Sequence, residues 1–204
     1  MARERGFDRV VNYSDAVVAI AATLLILPLV DKASNMGSTP MPQFLQESLL
    51  SFVVFILSFA VIGRFWLAHH RFFQHLRGFS PGIMFFNLLW LLGIVFLPFP
   101  TELIVSGRSV TSLAAAVYIG TMLFISLSSL GLTIVARRNH AIVDDVEGVR
   151  KALVLSTLTS SVIAAALLVS LVWPVVGLWS LFLLLLTPVT RKLIDRISAR
   201  RQAI

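Results

Sequence analysis

Repeated apolar stretches of about 20 residues are the feature that most constrains this chain. A stretch of that length crosses the hydrocarbon core of a bilayer as an α-helix, because a helix satisfies its own backbone hydrogen bonds within lipid. Charged residues make up 13% of the chain and hydrophobic residues 57%, whereas soluble domains carry about 25% charged residues. The alternating strands of an outer-membrane barrel are not evident in the sequence. We therefore expect an all-α integral membrane protein.

Breaks that contain charged residues, Gly or Pro divide the apolar material into six predicted spans. They cover residues 10–30, 44–68, 81–99, 110–135, 150–172 and 174–190. No internal repeat is visible, so residues 1–204 are predicted to form one six-helix domain. The first span follows a basic start, as a secretion signal would, but Asp15 lies inside it and no small-residue cleavage site precedes Pro28. We therefore expect this span to be retained.

Fifteen of the 17 basic residues fall on one side of this arrangement. They lie at the amino terminus, around the end of the second span, between the fourth and fifth spans, and in the tail; only Lys32 and Arg108 remain for the other side. Because short loops rich in Lys and Arg face the cytoplasm, both termini are expected to be cytoplasmic. The net charge of +7 is then spread over short loops beside the lipid headgroups of the bilayer, which argues against nucleic-acid binding.

The first span carries one stripe of residues at helical spacing, called here the first-helix stripe. Its members are Ile20, Thr23, Leu24 and Leu27. Residues three or four positions apart share a helix face, so these side chains point the same way. On spacing alone, such a stripe is more often a packed core face than the lining of a pore, and both interpretations stay open at this point.

A polar motif opens the same span, in the run Arg-Val-Val-Asn-Tyr-Ser-Asp. Its members are Arg9, Tyr13, Ser14 and Asp15. The motif resembles the Arg-x-x-x-Phe-Ser-Asp sequence that begins the first transmembrane helix in the transmembrane protein 175 family of potassium channels, with Tyr13 in place of Phe. The apolar residues that follow, Ala16 to Pro28, are also similar to that family's first helix.

This resemblance implies an architecture and a function. Prokaryotic members with one six-helix unit assemble as four-fold symmetric tetramers whose first helices line the pore, so we expect a homotetramer in a prokaryotic plasma membrane. Potassium, with other monovalent cations, would be the permeant ion, and no cofactor is implied. The family's narrowest point falls on Ile20, its polar ring on Thr23 and a further apolar ring on Leu27. Leu24, on the same stripe, is assigned to the constriction as well.

A constriction of aliphatic side chains offers no oxygen ligands to an ion. It obstructs ions by excluding water, and opening must widen it enough to readmit water. Selectivity for potassium would then depend on the cost of dehydration at the constriction, assisted by hydroxyl and carbonyl oxygens at Thr23.

Arg9 and Asp15 are six residues apart and do not share a helix face. We hypothesise that they belong to a buried polar network at the cytoplasmic mouth, with partners on other helices or subunits, because a buried charge needs a partner. The alternative is that Arg9 extends to the lipid headgroups, as Arg side chains near helix ends often do.

A second polar cluster lies at the end of the second span. The resemblance implies that Trp66, His69 and His70 pack there against the first helix. The spacing of these histidines and His75 does not give an i, i+4 ligand pair, so no zinc site is expected. A pH-sensitive contact is the alternative to simple hydrogen-bonded packing. Asp31, on the predicted outer side, is a candidate for an acidic outer mouth that concentrates cations, or is simply solvated.

Three functions other than a channel are alternatives for a membrane protein of this kind. An ion-coupled secondary transporter usually has ionisable residues near the membrane midplane, and the middle of these spans is nearly free of charge. A membrane enzyme is disfavoured, since no paired carboxylate, nucleophile motif or metal motif lies in a span. A non-conducting membrane assembly protein remains an alternative that composition alone does not exclude.

Overall fold

The computed structural model describes residues 2–106 and 111–172, and these residues form an almost entirely α-helical fold. Their α-helices are α1 (Ala2–Leu24), α2 (Leu27–Ser34), α3 (Met41–Glu47), α4 (Leu49–Phe73), α5 (Pro81–Phe96), α6 (Pro98–Ser106), α7 (Ser112–Arg138) and α8 (Val146–Val172). A short 3₁₀ helix, His140–Ile142, precedes α8. The all-α expectation is thereby confirmed.

Five helical segments of the described chain are long and apolar enough to span a bilayer. They are Gly6–Ser34, Leu49–Phe73, Pro81–Ser106, Ser112–Arg138 and Val146–Leu171. Each matches one of the first five predicted spans, and the sixth prediction, 174–190, lies outside the described residues. The chain is an integral membrane protein.

Each of the five matched spans differs from its prediction by a few residues at one or both ends, and proline explains the difference in the third span. The third span continues from 99 to Ser106, because α6 starts at Pro98 directly after α5 ends. Proline fits the first turn of a helix, where its missing N–H would have no partner. The first span begins earlier than predicted, since α1 already starts at Ala2 and its first residues are helical despite their charges.

The first span is not one continuous helix. A turn at Leu25 and Ile26 separates α1 from α2, and the N–H of Ile26 bonds the Thr23 carbonyl across it at 3.3 Å. Pro28, at the start of α2, has no N–H to give to the carbonyl of Leu24. The break therefore follows from one residue in an otherwise strongly apolar run.

The core of the bundle lies between α1 and α4–α8, and the Trp90 side chain is fully buried in it. Several polar side chains inside it are paired across helices, although the indole nitrogen of Trp90 is buried without a hydrogen-bond partner among the residues that the structure describes. The Ser58 hydroxyl lies 3.1 Å from both the Thr101 hydroxyl and the Tyr118 hydroxyl, which joins α4, α6 and α7. Such pairing stabilises polar groups at membrane depth, where water is not available as a substitute partner.

Close packing of α5 against α7 depends on glycine. A side chain at Gly131 would overlap the ring of Phe86, whereas a side chain at Gly120, in the same helix, would meet nothing within 4 Å. Absence of a Cβ at Gly131 therefore lets the two helices approach, as small residues do between membrane helices.

Gly131→Ala should therefore destabilise the protein, because the added methyl must displace the Phe86 ring; we expect a cost of about 1–3 kcal/mol. Gly120→Ala is the matched control and should leave stability unchanged or raise it slightly, since Ala favours the helix. Thermal unfolding of both variants in the same detergent measures the difference. Equal melting temperatures would show that the α5–α7 approach tolerates a methyl group.

Two connections pair at the end of the bundle where α4 ends and α8 begins. The Arg77 N–H donates to the Ile142 carbonyl at 2.9 Å, and the Asp144 N–H donates to the His75 carbonyl at 3.0 Å. The His75 Nδ1 atom lies 3.0 Å from a carboxylate oxygen of Asp145. These contacts place both connections on the same side, as the distribution of basic residues predicts.

Asp145 also caps the amino terminus of α8. Its carboxylate accepts the Gly148 backbone N–H at 2.9 Å, a bond that satisfies one of the free donors of the first turn. That backbone hydrogen bond, together with the nearby His75, lowers the pKa of Asp145 below its usual value, although partial burial opposes the shift. The ionised carboxylate is thus the form that the folded protein prefers.

Asp145→Ala should lower the melting temperature at neutral pH, and the deficit should shrink as the pH falls. A carboxyl group with a depressed pKa in the folded state stabilises the fold above its unfolded pKa and loses that contribution as the pH drops through the folded value. Melting curves from pH 7 to about pH 3 test this. Asp144→Ala is the control, since its nearest cation, Arg77, is 3.8 Å away and exposed; a pH-independent deficit in Asp145→Ala would contradict the assignment.

Candidate functional site

The first span has two faces with opposite environments. One face is buried against the rest of the chain and comprises Ser14, Val18, Ala21, Leu25 and Leu29. The opposite face carries the first-helix stripe, in which the side chain of Ile20 is 61% exposed, and Leu24 and Leu27 are also exposed. The stripe is therefore not part of the core of a single chain, and the packed-core interpretation does not apply to it.

Thr23 lies on the exposed side at the end of α1. Its hydroxyl donates to the Ile20 carbonyl at 2.7 Å. A hydroxyl has one proton and two lone pairs, so this bond uses the proton and leaves the oxygen able to accept from water or contact a cation. The oxygen of the only polar member of the stripe thus keeps its lone pairs available for a further contact.

Ser14 of the motif begins a chain of buried hydrogen bonds on the other face. The Asn87 side-chain amide of α5 donates to the Ser14 hydroxyl at 3.0 Å, and that hydroxyl donates to the Val10 carbonyl at 2.9 Å. The amide oxygen of Asn87 lies 2.7 Å from the His69 Nε2 atom of α4. Three helices are therefore connected through consecutive polar groups that are almost completely buried.

Counting donors and acceptors shows which group donates in each of these buried hydrogen bonds. Asn87 uses its amide nitrogen to donate to Ser14, so its oxygen must accept, and the proton between Asn87 and His69 belongs to Nε2 of the histidine. His69 lies with its ring 4.0 Å from that of Trp90 and 4.4 Å from that of Phe73, centroid to centroid. Stacking on both rings and the bond to Asn87 hold the imidazole in one orientation.

Asp15 is connected to α4 by a separate contact. The indole N–H of Trp66 donates to its carboxylate at 2.8 Å. The Trp66 ring also lies 5.5 Å from the His70 ring, and the His70 Nε2 atom is 3.2 Å from the Gln74 amide nitrogen. Ser14, Asp15, Trp66 and His69 are thus brought together as a packing site between α1 and α4.

Two motif residues do not join this site in the single chain. Arg9 and the Tyr13 side chain are exposed, and neither makes a hydrogen bond or ion pair within the described ranges 2–106 and 111–172. His75 pairs with Asp145 instead of with His69 or His70. Among the described residues, no group of three or more His, Cys, Asp or Glu side chains is arranged to hold a metal ion.

Sequence reasoning missed Asn87, the central residue of the buried chain. It stands alone as an amide among the apolar residues of α5, and a single strongly polar side chain within a span usually has a specific role. That signal would have identified it.

The far end of the first span carries two opposite charges side by side. Asp31 is exposed, whereas the Lys32 ammonium donates to the hydroxyl of Ser51, in the first turn of α4, at 2.6 Å. The two charges therefore diverge, one toward the exposed side and one toward the bundle.

The family model described as "Endosomal/lysosomal potassium channel TMEM175" matches residues 9–98. That segment contains the motif, the first-helix stripe and every member of the buried polar chain. A potassium channel of Streptomyces collinus is 36% identical over 124 residues, which cover 59% of this chain and 59% of the relative. The endosomal/lysosomal proton channel TMEM175 of Rattus norvegicus is 35% identical over 103 residues, which cover 45% of this chain and 20% of the relative.

The fold resembles a solved structure over most of its length. The crystal structure of a lysosomal potassium-selective channel TMEM175 homolog from Chamaesiphon minutus aligns with a TM-score of 0.78 and 24% identity, covering 92% of this chain and 98% of that one. At this identity the match shows a shared fold. In sequence, the chain spans about three fifths of the length of the bacterial relative from Streptomyces collinus.

Ser14→Ala should destabilise the protein by about 1–2 kcal/mol, because it leaves a buried donor of Asn87 without its acceptor. The matched control is Ser34→Ala, since the Ser34 hydroxyl makes the same type of bond, to the Val30 carbonyl, on an exposed surface. Thermal unfolding in detergent should show a loss for Ser14→Ala alone. Equal losses in both variants would mean that the buried chain contributes no more than an ordinary surface hydroxyl.

Proposed function

We propose that the chain is a member of the TMEM175 family, whose model matches residues 9–98, and that it is a potassium-favouring cation channel, as a relative 36% identical to it is named. In this proposal four copies form a homotetramer in a prokaryotic plasma membrane, with both termini in the cytoplasm and the first spans around the central axis. Ile20, Leu24 and Leu27 form the constriction, and Thr23 supplies a ring of oxygens. No cofactor takes part, and potassium is the permeant ion.

One observation carries the proposal: the first span is anchored by its polar face and leaves its aliphatic stripe exposed. The hydrogen bonds that Asn87 donates to Ser14 and Trp66 donates to Asp15 set the rotation of α1 about its own axis. Given that rotation, Ile20 points away from the chain's own core. A stripe presented in this way is available to surround an axis shared with other subunits.

The polar residues on the exposed side favour a pore over a lipid-facing surface. Thr23 and Asp31 lie on the same side as Ile20, and polar or charged side chains within membrane proteins usually face water or protein. A ring of aliphatic side chains with a hydroxyl ring close by combines an obstacle to water with an oxygen ligand. Such a site passes a partly dehydrated cation when it widens.

The motif residues act as structural supports in this proposal. Ser14, Asp15, Trp66 and His69 hold α1 against α4 and α5, and His70 packs beside Trp66. Arg9 and Tyr13, which are exposed in a single chain, are available for contacts with a neighbouring subunit at the cytoplasmic mouth. Asp31 marks the opposite mouth.

Flux measurements in liposomes test the constriction. Ile20→Ala and Ile20→Asn should raise potassium flux several-fold and reduce the preference for potassium over sodium, because a smaller or polar side chain admits water. The control is Ile56→Ala in α4, since Ile56 is 63% exposed and matches Ile20 in type and exposure, yet is assigned no place on the axis. Equal behaviour of the Ile20 and Ile56 variants would remove the stripe from the conduction path.

The same liposomes separate the alternative functions. A channel conducts down the gradient without a second ion, whereas flux that saturates and requires a coupling ion would indicate a secondary transporter. Folded protein with no flux in any variant would indicate a membrane assembly protein. A relative is named a proton channel, so proton flux is measured beside potassium and sodium, and flux of protons alone would overturn the potassium preference.

A further inference from the structure

The two faces of the first span continue into α2 and end on opposite charges. The exposed face runs from Ile20 through Leu24 and Leu27 to Asp31, in steps of three or four residues. The buried face runs through Leu25 and Leu29 and reaches Lys32 in the same way. Consecutive residues on a helix lie about 100° apart, so adjacent charges can be directed to different surroundings.

Lys32 is held by a single hydroxyl. Its ammonium donates to the Ser51 hydroxyl at 2.6 Å, and the Ser51 side chain is only 2% exposed. Within residues 2–106 and 111–172, no ion pair joins Lys32 to a carboxylate. Its positive charge is therefore not neutralised, and its position depends on the bond to α4.

The position of this charge matters because Asp31 lies beside it. An acidic ring at a pore mouth attracts cations and raises their local concentration. A lysine that turns toward the same mouth offsets that effect, because the repulsion between its ammonium and an entering cation grows as the distance between the two charges falls. With four flexible carbons, the Lys32 side chain is long enough to change its direction if it is released.

We propose that Ser51 is a positioning residue for ion entry: it holds the Lys32 ammonium toward the bundle, so that Asp31 determines the potential at this mouth. This inference rests on the proposed channel function and adds to it a determinant of entry rate. Ser51 does not touch the ion; it acts through Lys32. The bond from α4 thus sets the electrostatic character of a mouth formed by α2.

A purely structural role for the hydrogen bond between Lys32 and Ser51 predicts a different result. If Lys32 only anchors α2 to α4, removing either partner loosens the same contact, and both variants change conductance in the same direction. If the charge is what matters, the two variants have opposite effects. Loss of Ser51 frees a positive charge and lowers cation entry, whereas loss of Lys32 removes the charge and raises it.

The test compares the full-length wild type with Ser51→Ala, Lys32→Met and the double variant in planar bilayers. Potassium conductance is measured with the ion entering from the Asp31 side. At about 0.01 M salt, where the screening length is about 30 Å, Ser51→Ala should lower entry about two-fold and Lys32→Met should raise it by a similar factor. The double variant should match Lys32→Met, and Ser51→Thr, which keeps a hydroxyl, should restore wild-type conductance.

At about 1 M salt, where the screening length falls to about 3 Å, these differences should disappear. The proposal is overturned if Ser51→Ala has no effect at low salt, if it acts equally in the Lys32→Met background, or if its effect is independent of salt. Should Ser51→Ala fail to fold, an unchanged entry rate in Lys32→Met at low salt overturns the proposal by itself. A wild type that conducts and responds to Ile20→Ala separates this failure from failure of the channel function.

Discussion

A buried polar group at membrane depth is stabilised by a partner inside the protein, and the pairing of Ser14 determines how the first span is placed. Ser14 is almost completely buried; its hydroxyl is paired with the Asn87 amide, and Asn87 is paired in turn with His69. An unpaired group at any of these positions would cost more than the bond itself contributes. These bonds fix the rotation of α1 about its axis and its position along α4 and α5.

Aromatic packing completes what the hydrogen bonds begin. The His69 ring is enclosed between Trp90 and Phe73, and Phe73 stacks in turn on Phe7, at the start of α1. Flat rings restrict sliding and tilting where a hydrogen bond alone allows some of both. The hydrogen-bond partners determine which face of α1 is buried. The stacked rings then restrict movement of α1 near the motif.

Helix content and the positions of five spans could be predicted from the sequence, because length and hydropathy are local properties of the chain. The role of Asn87 could not, since it depends on which residues of other helices lie opposite. Motif spacing indicated that Ser14 and Asp15 are special, but the partner of Asp15 lies 51 positions away, at Trp66. The turn between α1 and α2, just before Pro28, was also not predicted, because a hydropathy profile does not reflect the absence of the proline backbone N–H.

The turn between α1 and α2 restricts what can surround this part of the protein in the membrane. Pro28 gives no N–H to the carbonyl of Leu24, and irregular backbone is tolerated within a membrane only where it is enclosed by protein or faces water. Hydrocarbon tails are therefore unsuitable neighbours for the turn at Leu25 and Ile26. The Leu24 carbonyl at this turn therefore needs water or another protein group beside it, so the surface around it is not one that lipid alone can cover.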